Sequence, residues 1–410
     1  MRHNVSLFIF CQSLGWDLTQ RLPFIDGLAE NRAPIVPMIG NSAATLPTVL
    51  SGLPAEEHGH FDWFVYSPAT SPFRACRYLS RLPAAARRSR RVRNAVVRWA
   101  RNSTGMTGRL DIFNMPLRRL PLFDFAEPID LAELGALGTT KTLIDFFEEN
   151  DIDYFFSDHT QTDPENADML AEALYSGRIT AAFLHLTGIE PVLKHEGPES
   201  TALRGRMAWF DHRIRRLYEA AALKYERVEL IAFSDTGTVP VTGVFDVQAQ
   251  LDDSPYAYGH DYAAVYGPTT ARFWFMPSGG RARECRAGVT KILNALPCGT
   301  ATGTKEMVGP RWAPRGNPAG DLVFLAHPGM VFMPNDIDPG PMVTASGYLP
   351  GTEGMAAAFA CNVAEIEPPL NLTEIYGVLL QSAARSAGIE LATGEEPRPR
   401  GTVETSVEPH

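Results

Sequence analysis

The chain has 410 residues, more than a single hydrophobic core usually covers, so one large α/β domain carrying insertions is the expected build. A formal charge of −10 and a pI near 5.5 exclude general affinity for nucleic acid, which needs a basic face to neutralise phosphates. The five cysteines, Cys11, Cys76, Cys285, Cys298 and Cys361, are scattered, odd in number and without CxxC spacing, which argues against a zinc finger and for a reduced, cytoplasmic setting.

The apolar run Val5 to Phe10 is too short for a secretory leader or a membrane span and reads as a buried strand, so no transmembrane segment is expected. An amphipathic stretch from Asp17 to Glu30 follows, then a short strand from Ile35 to Ile39 and a helix from Ser42 to Ser51. Later units are a strand at Ile152 to Phe156, a helix at Glu165 to Tyr175, a strand at Ile179 to Leu186 and a long helix from Thr201 to Lys224. The apolar run Val228 to Phe233 ends in Ser234-Asp235-Thr236-Gly237. Alternating strands and helices predict a mostly parallel central sheet flanked by helices.

Two stretches break the alternation. Residues 61–138 are rich in aromatic, proline and arginine residues, and Arg87 to Arg101 reads as a basic amphipathic helix interleaved with Val92, Val96, Val97 and Trp99. This helix is either a solvated face or a docking surface for an acidic protein, a phosphorylated ligand or a membrane. Residues 255–335, with Ala271 to Phe275, a helix near Glu284 to Leu296, and Gly320 to Leu325, read as a small α+β cap. The core is then 1–60, 139–254 and 336–392, and the tail 393–410, rich in Glu, Pro, Arg and Thr, is expected to be disordered.

Catalytic groups gather where parallel strands end. Here those positions hold Gln12, Asn41-Ser42, Glu190, Lys194, Asp235, Thr236 and Ser346. In this set the chain resembles the alkaline phosphatase superfamily, in its type I phosphodiesterase and nucleotide pyrophosphatase branch, over about Val5 to Ile389. The resemblance implies an alkaline-phosphatase-like fold. It places Ser42 at the nucleophile position, ten residues before Gly52 and upstream of Pro54 and His58-Gly59.

The same resemblance implies two metal ions, usually zinc, each held by about three nitrogen or oxygen donors. Gln12 stands where an aspartate is expected, and Glu190 and Lys194 stand where Gly197-Pro198-Glu199-Ser200 would place an aspartate and a histidine. A one-residue slip would offer His195 instead, and Thr236 and Ser346 replace two further histidines. No cofactor, and no zinc pair, is therefore expected.

Three readings of function stay open. The first is a metal-independent transferase or hydrolase in which Ser42 attacks a phosphoryl, sulfuryl or acyl centre of a small or carrier-borne anionic substrate. Lys194 then supplies positive charge or acts as base, Asp235 or Glu190 orients it, and Gln12, Asn41, Thr236, Ser346 and His195 contact the substrate. The second is a catalytically inactive protein that binds a ligand or partner; the third is a metal-dependent phosphodiesterase with unusual ligands. Ser42 is equally suited to capping its helix, and Lys194 to a solvated loop.

Overall fold

The computed structural model describes residues 3–39, 42–81, 83, 89–276, 281–308 and 317–391. Its centre is a six-stranded sheet in the order Asn31–Ile35, Ala357–Cys361, Val228–Phe233, Val5–Cys11, Ala181–Leu186, Tyr154–Phe156. The last four run parallel, and Ala357–Cys361 runs against both its neighbours.

Both faces of this sheet are covered, as its largely apolar central strands require. Val5, Leu7, Ile9 and Cys11 point into one core with the Asp163–Ser176 and Thr201–Lys224 helices. Phe8 and Phe10 point into the other, against Ser42–Ser51 and Leu372–Ala387. Within that second core Ser6, Ser382 and Ser386 share hydrogen bonds, and Glu229 accepts from Ser382 and Arg385, so the few polar groups under the sheet are partnered.

Several boundaries move from their expected places. The second strand is Asn31–Ile35 and not Ile35 to Ile39; it is a half-polar sheet edge, where Pro34 is tolerated and apolar patterning is weak. The stretch from Asp17 to Glu30 splits into a 3₁₀ turn, Trp16–Arg21, and a short helix, Pro23–Leu28, because proline cannot donate its backbone N–H and disfavours helix in the residue before it. The helix placed at Glu165 starts at Asp163, because Thr162 and Glu165 form a reciprocal capping box. The next strand begins at Ala181, and the cap helix runs Arg281–Asn294. The tail 393–410 lies outside the described residues, as do Arg87 and Arg88.

The cap is a four-stranded antiparallel sheet, in the order Tyr262–Tyr266, Thr270–Phe275, Leu322–Ala326, Gly299–Gly303, backed by the Arg281–Asn294 helix. The first insertion does not stand apart from it. Phe64, Phe73, Phe123 and Phe125 of the insertion share one hydrophobic cluster with Ala263, Val265 and Trp274 of the cap. Buried arginines tie the insertion further: Arg272 of the cap lies 3.5 Å from Asp62, and Arg119 pairs at 3.2 Å with Asp336, the residue just after the cap. In Arg90–Thr104, Val96 and Ala100 are buried while Trp99 is 47% exposed. No helix among the described residues is long and apolar enough to cross a membrane.

Candidate functional site

The strand ends converge because two loops touch. Gly15, after the first strand, and Gly237, after Val228–Phe233, pack so closely that a Cβ on Gly15 would sit 2.9 Å from the Gly237 Cα. A Cβ on Gly237 would sit 2.0 Å from the Gly354 carbonyl oxygen. Glycine is required there by close approach. Ser13 adopts a positive φ of 61°, and this turn aims its backbone N–H at Asp235 Oδ1, 2.7 Å away.

From Gln12 a chain of side-chain contacts runs across the strand ends. Gln12 Nε2 donates to Glu190 Oε2 at 2.6 Å, and Gln12 Oε1 accepts from His185 Nε2 at 3.0 Å. Glu190 Oε1 accepts from Lys194 Nζ at 3.1 Å, one helical turn along Ile189–Glu196. Lys194 Nζ is also 3.5 Å from Asp338 Oδ2, which His195 Nε2 approaches at 3.6 Å. The sequence Asp338, Lys194, Glu190, Gln12, His185 is thus continuous.

The electrostatics follow from that arrangement. Burial pulls the Lys194 ammonium toward losing its proton, but the carboxylates of Glu190 and Asp338 outweigh it and raise the pKa. That direction suits Lys194 as a fixed positive charge and works against its use as a base. Asp235, only 3% exposed, has its carboxyl pushed up to about 7, chiefly by burial and further by Glu190, against the Ser13 hydrogen bond. His185, stacked on Phe10 at 4.5 Å, is pushed down to about 3 by burial and by the charge of Arg109, and is neutral.

Beside this chain lies a cavity of about 100 Å³. Its lining includes Phe10, Gln12, His185 and Asp235, with Ala43 and Leu46 of the Ser42–Ser51 helix. Trp63, Arg109, Glu127, Asp130 and His159 line it too. Arg109 lies over the Trp63 ring at 4.8 Å, and His159 Nδ1 is 3.0 Å from Asp130 Oδ2. Glu127 is pushed up to about 7 by burial, against the pull of Arg109.

Of the expected site residues, the structure brings Gln12, Glu190, Lys194 and Asp235 together, with His195 at the edge through Asp338. The Thr236 hydroxyl donates to the neighbouring Gly237 carbonyl while its backbone bonds Asp235, and the Ser346 backbone carbonyl accepts from the Thr269 hydroxyl. Lys194 is a half-buried helix residue and not a loop lysine. Ser42 opens its helix, but its side chain and all of Asn41 lie outside the described residues.

Sequence reasoning missed His185, Asp338, Arg109, Glu127, Trp63, Asp130 and His159. His185 carries one legible signal, being the lone polar residue in the strand Ala-Ala-Phe-Leu-His-Leu. The others sit on insertions and loops whose approach to the strand ends leaves no periodic mark. His58 accepts from the His60 backbone and bonds Thr48 at 2.9 Å, a structural use.

The family model for type I phosphodiesterase / nucleotide pyrophosphatase matches residues 7–349. No curated protein matches by sequence. Among solved structures, human ectonucleotide pyrophosphatase / phosphodiesterase 5 superposes with a TM-score of 0.64 at 14% identity, covering 95% of this chain and 96% of that one. An inactive variant of the murine protein, in complex with AMP, gives 0.63 at 14% identity, covering 93% and 95%. At that identity the likeness establishes a shared fold.

Proposed function

The chain belongs to the type I phosphodiesterase / nucleotide pyrophosphatase family, and we propose that it binds a small phosphate-bearing ligand in the strand-end pocket without two-metal chemistry. The observation that carries this reading is the chain Asp338, Lys194, Glu190, Gln12, His185, which runs through positions where the family resemblance expects metal ligands. The donor set does not fit a pair of zinc ions. Gln12 spends its amide oxygen on His185, Glu190 is held by an ammonium, and Lys194, which is protonated, has no lone pair to give. Among the described residues no group of three His, Cys, Asp or Glu side chains is placed to hold a metal ion.

A ligand of this kind agrees with the AMP bound by the murine relative and with the polar lining of the cavity. The test is elemental analysis of the purified chain together with calorimetric titration of AMP. We expect well under one zinc per chain and measurable AMP binding in the presence of a chelator. Two tightly held zinc ions per chain, or AMP binding only after zinc is added, would overturn the reading.

One observation favours a second reading, in which Ser42 acts as a metal-independent nucleophile. The Asp235 carboxyl, titrating at about 7, lines the same cavity as Ala43, the residue after Ser42, and such a carboxyl suits proton transfer at neutral pH. Turnover of nitrophenyl phosphate, sulfate or acetate esters that disappears in Ser42→Ala would support it; no turnover of any of them by the native chain would remove it.

A further inference from the structure

The pocket is acidic by count, yet most of its acids are already engaged. Asp163 accepts from the Thr187 and Gly188 backbone N–H groups at 3.0 and 2.8 Å. Asp158 accepts from Thr160, Asp235 from Ser13, and Asp130 faces His159. Against them stands Arg109, the sole lysine or arginine among the described lining residues. It comes from the first insertion, and its reach is visible in its neighbours, since its charge pushes the His185 pKa down and opposes the rise at Glu127.

The Arg109 guanidinium carbon sits 4.8 Å from the centre of the Trp63 ring, a cation–π contact that does not consume its N–H donors, the groups that recognise phosphate or carboxylate. The indole is itself fixed, since Trp63 is buried and packs on Phe113 at 5.2 Å. Arg109 is therefore a positioned cation in a pocket whose lining also holds neutral donors and acceptors, Gln12 and His185. Beside it, Glu127 and the Asp130–His159 pair offer acceptors to hydroxyl groups.

We infer that Arg109 is the anion receptor of this pocket and that the ligand is a phosphate monoester carrying hydroxyl groups, with the phosphate on Arg109 and the hydroxyls toward Glu127 and Asp130. The inference rests on the ligand reading above and adds the residue and the ligand class. Nucleotides and sugar phosphates share this chemistry, so both serve as probes.

The full chain is titrated calorimetrically with AMP, ribose 5-phosphate, inorganic phosphate and adenosine, in the native form and as Arg109→Gln, Arg109→Lys and Glu127→Gln. Arg109→Gln is expected to weaken AMP and ribose 5-phosphate at least tenfold, and Arg109→Lys to recover part of that loss. Glu127→Gln should weaken ribose 5-phosphate more than inorganic phosphate. Arg109 is exposed, so its variants keep the native unfolding midpoint. Binding of AMP by Arg109→Gln as tight as by the native chain would overturn the Arg109 assignment and leave the ligand reading standing. Adenosine bound as tightly as AMP would overturn the ligand class, and a native chain that binds no phosphate-bearing probe would overturn both.

Discussion

Replacing Asp235 by asparagine should make stability at this site independent of pH. The native carboxyl is 3% exposed and titrates at about 7 instead of the usual 3.8, so the folded chain holds its proton more tightly than the unfolded chain does. The stabilising contribution of that proton is fully present below about pH 4 and is lost as pH rises to about 7. Each pH unit between the two values is worth about 1.4 kcal/mol, so the full swing is on the order of 4 kcal/mol, of which about 2–3 falls between pH 5 and 8. The amide of Asp235→Asn still accepts from Ser13 through Oδ1 but cannot ionise. Urea unfolding of both proteins at pH 5 and pH 8 isolates the effect, because titrating groups that do not interact with Asp235 cancel in the difference. The variant should gain about 2–3 kcal/mol on the native chain between pH 5 and 8. An unchanged difference at the two pH values would refute the burial argument.

Other perturbations probe the surrounding structure. Lys194→Met leaves Glu190 and Asp338 facing each other without the ammonium and should cost about 2 kcal/mol at pH 7 by chemical denaturation, a partial-burial discount on the loss seen for fully buried pairs. Lys194→Arg should lose less than half of that, and equal losses would argue that geometry and not charge matters. Gly237→Ala puts a methyl group 2.0 Å from the Gly354 carbonyl oxygen, so the loops must separate; a drop of roughly 3 kcal/mol or more in unfolding free energy is expected, together with altered AMP binding. Arg119→Met strands Asp336 inside the joint between insertion and cap and should cost about 3–5 kcal/mol, whereas a near-native midpoint would show that the ion pair contributes little.

Much of the core was legible because its central strands are largely apolar and its long helix is amphipathic: the strand Val228–Phe233 and the helix Thr201–Lys224 occupy their expected bounds. Asn31–Ile35 was not legible, since an edge strand with alternating polar residues and a proline carries no strong signal. At the site, Gln12, Glu190, Lys194 and Asp235 were recoverable because strand ends mark them. Asp338 and Arg109 were not, because their places depend on how distant segments fold back, which periodicity along the chain does not encode. Nor did composition reveal that residues 61–138 and the cap share a core, which rests on cross-segment contacts such as Tyr66 on Trp274 and Phe123 on Trp274.

The double-faced burial of Val5–Cys11 has a consequence for how this family can change. All seven residues of that strand are buried, and the hydrophobic cores on its two sides are built without any residue of the Gln12 to Asp338 chain. Phe10 and Leu131 are shared, serving a core and the cavity lining alike. Substitutions at the polar strand tips can therefore rewrite what the pocket accepts while both cores persist, each change carrying a stability cost of its own.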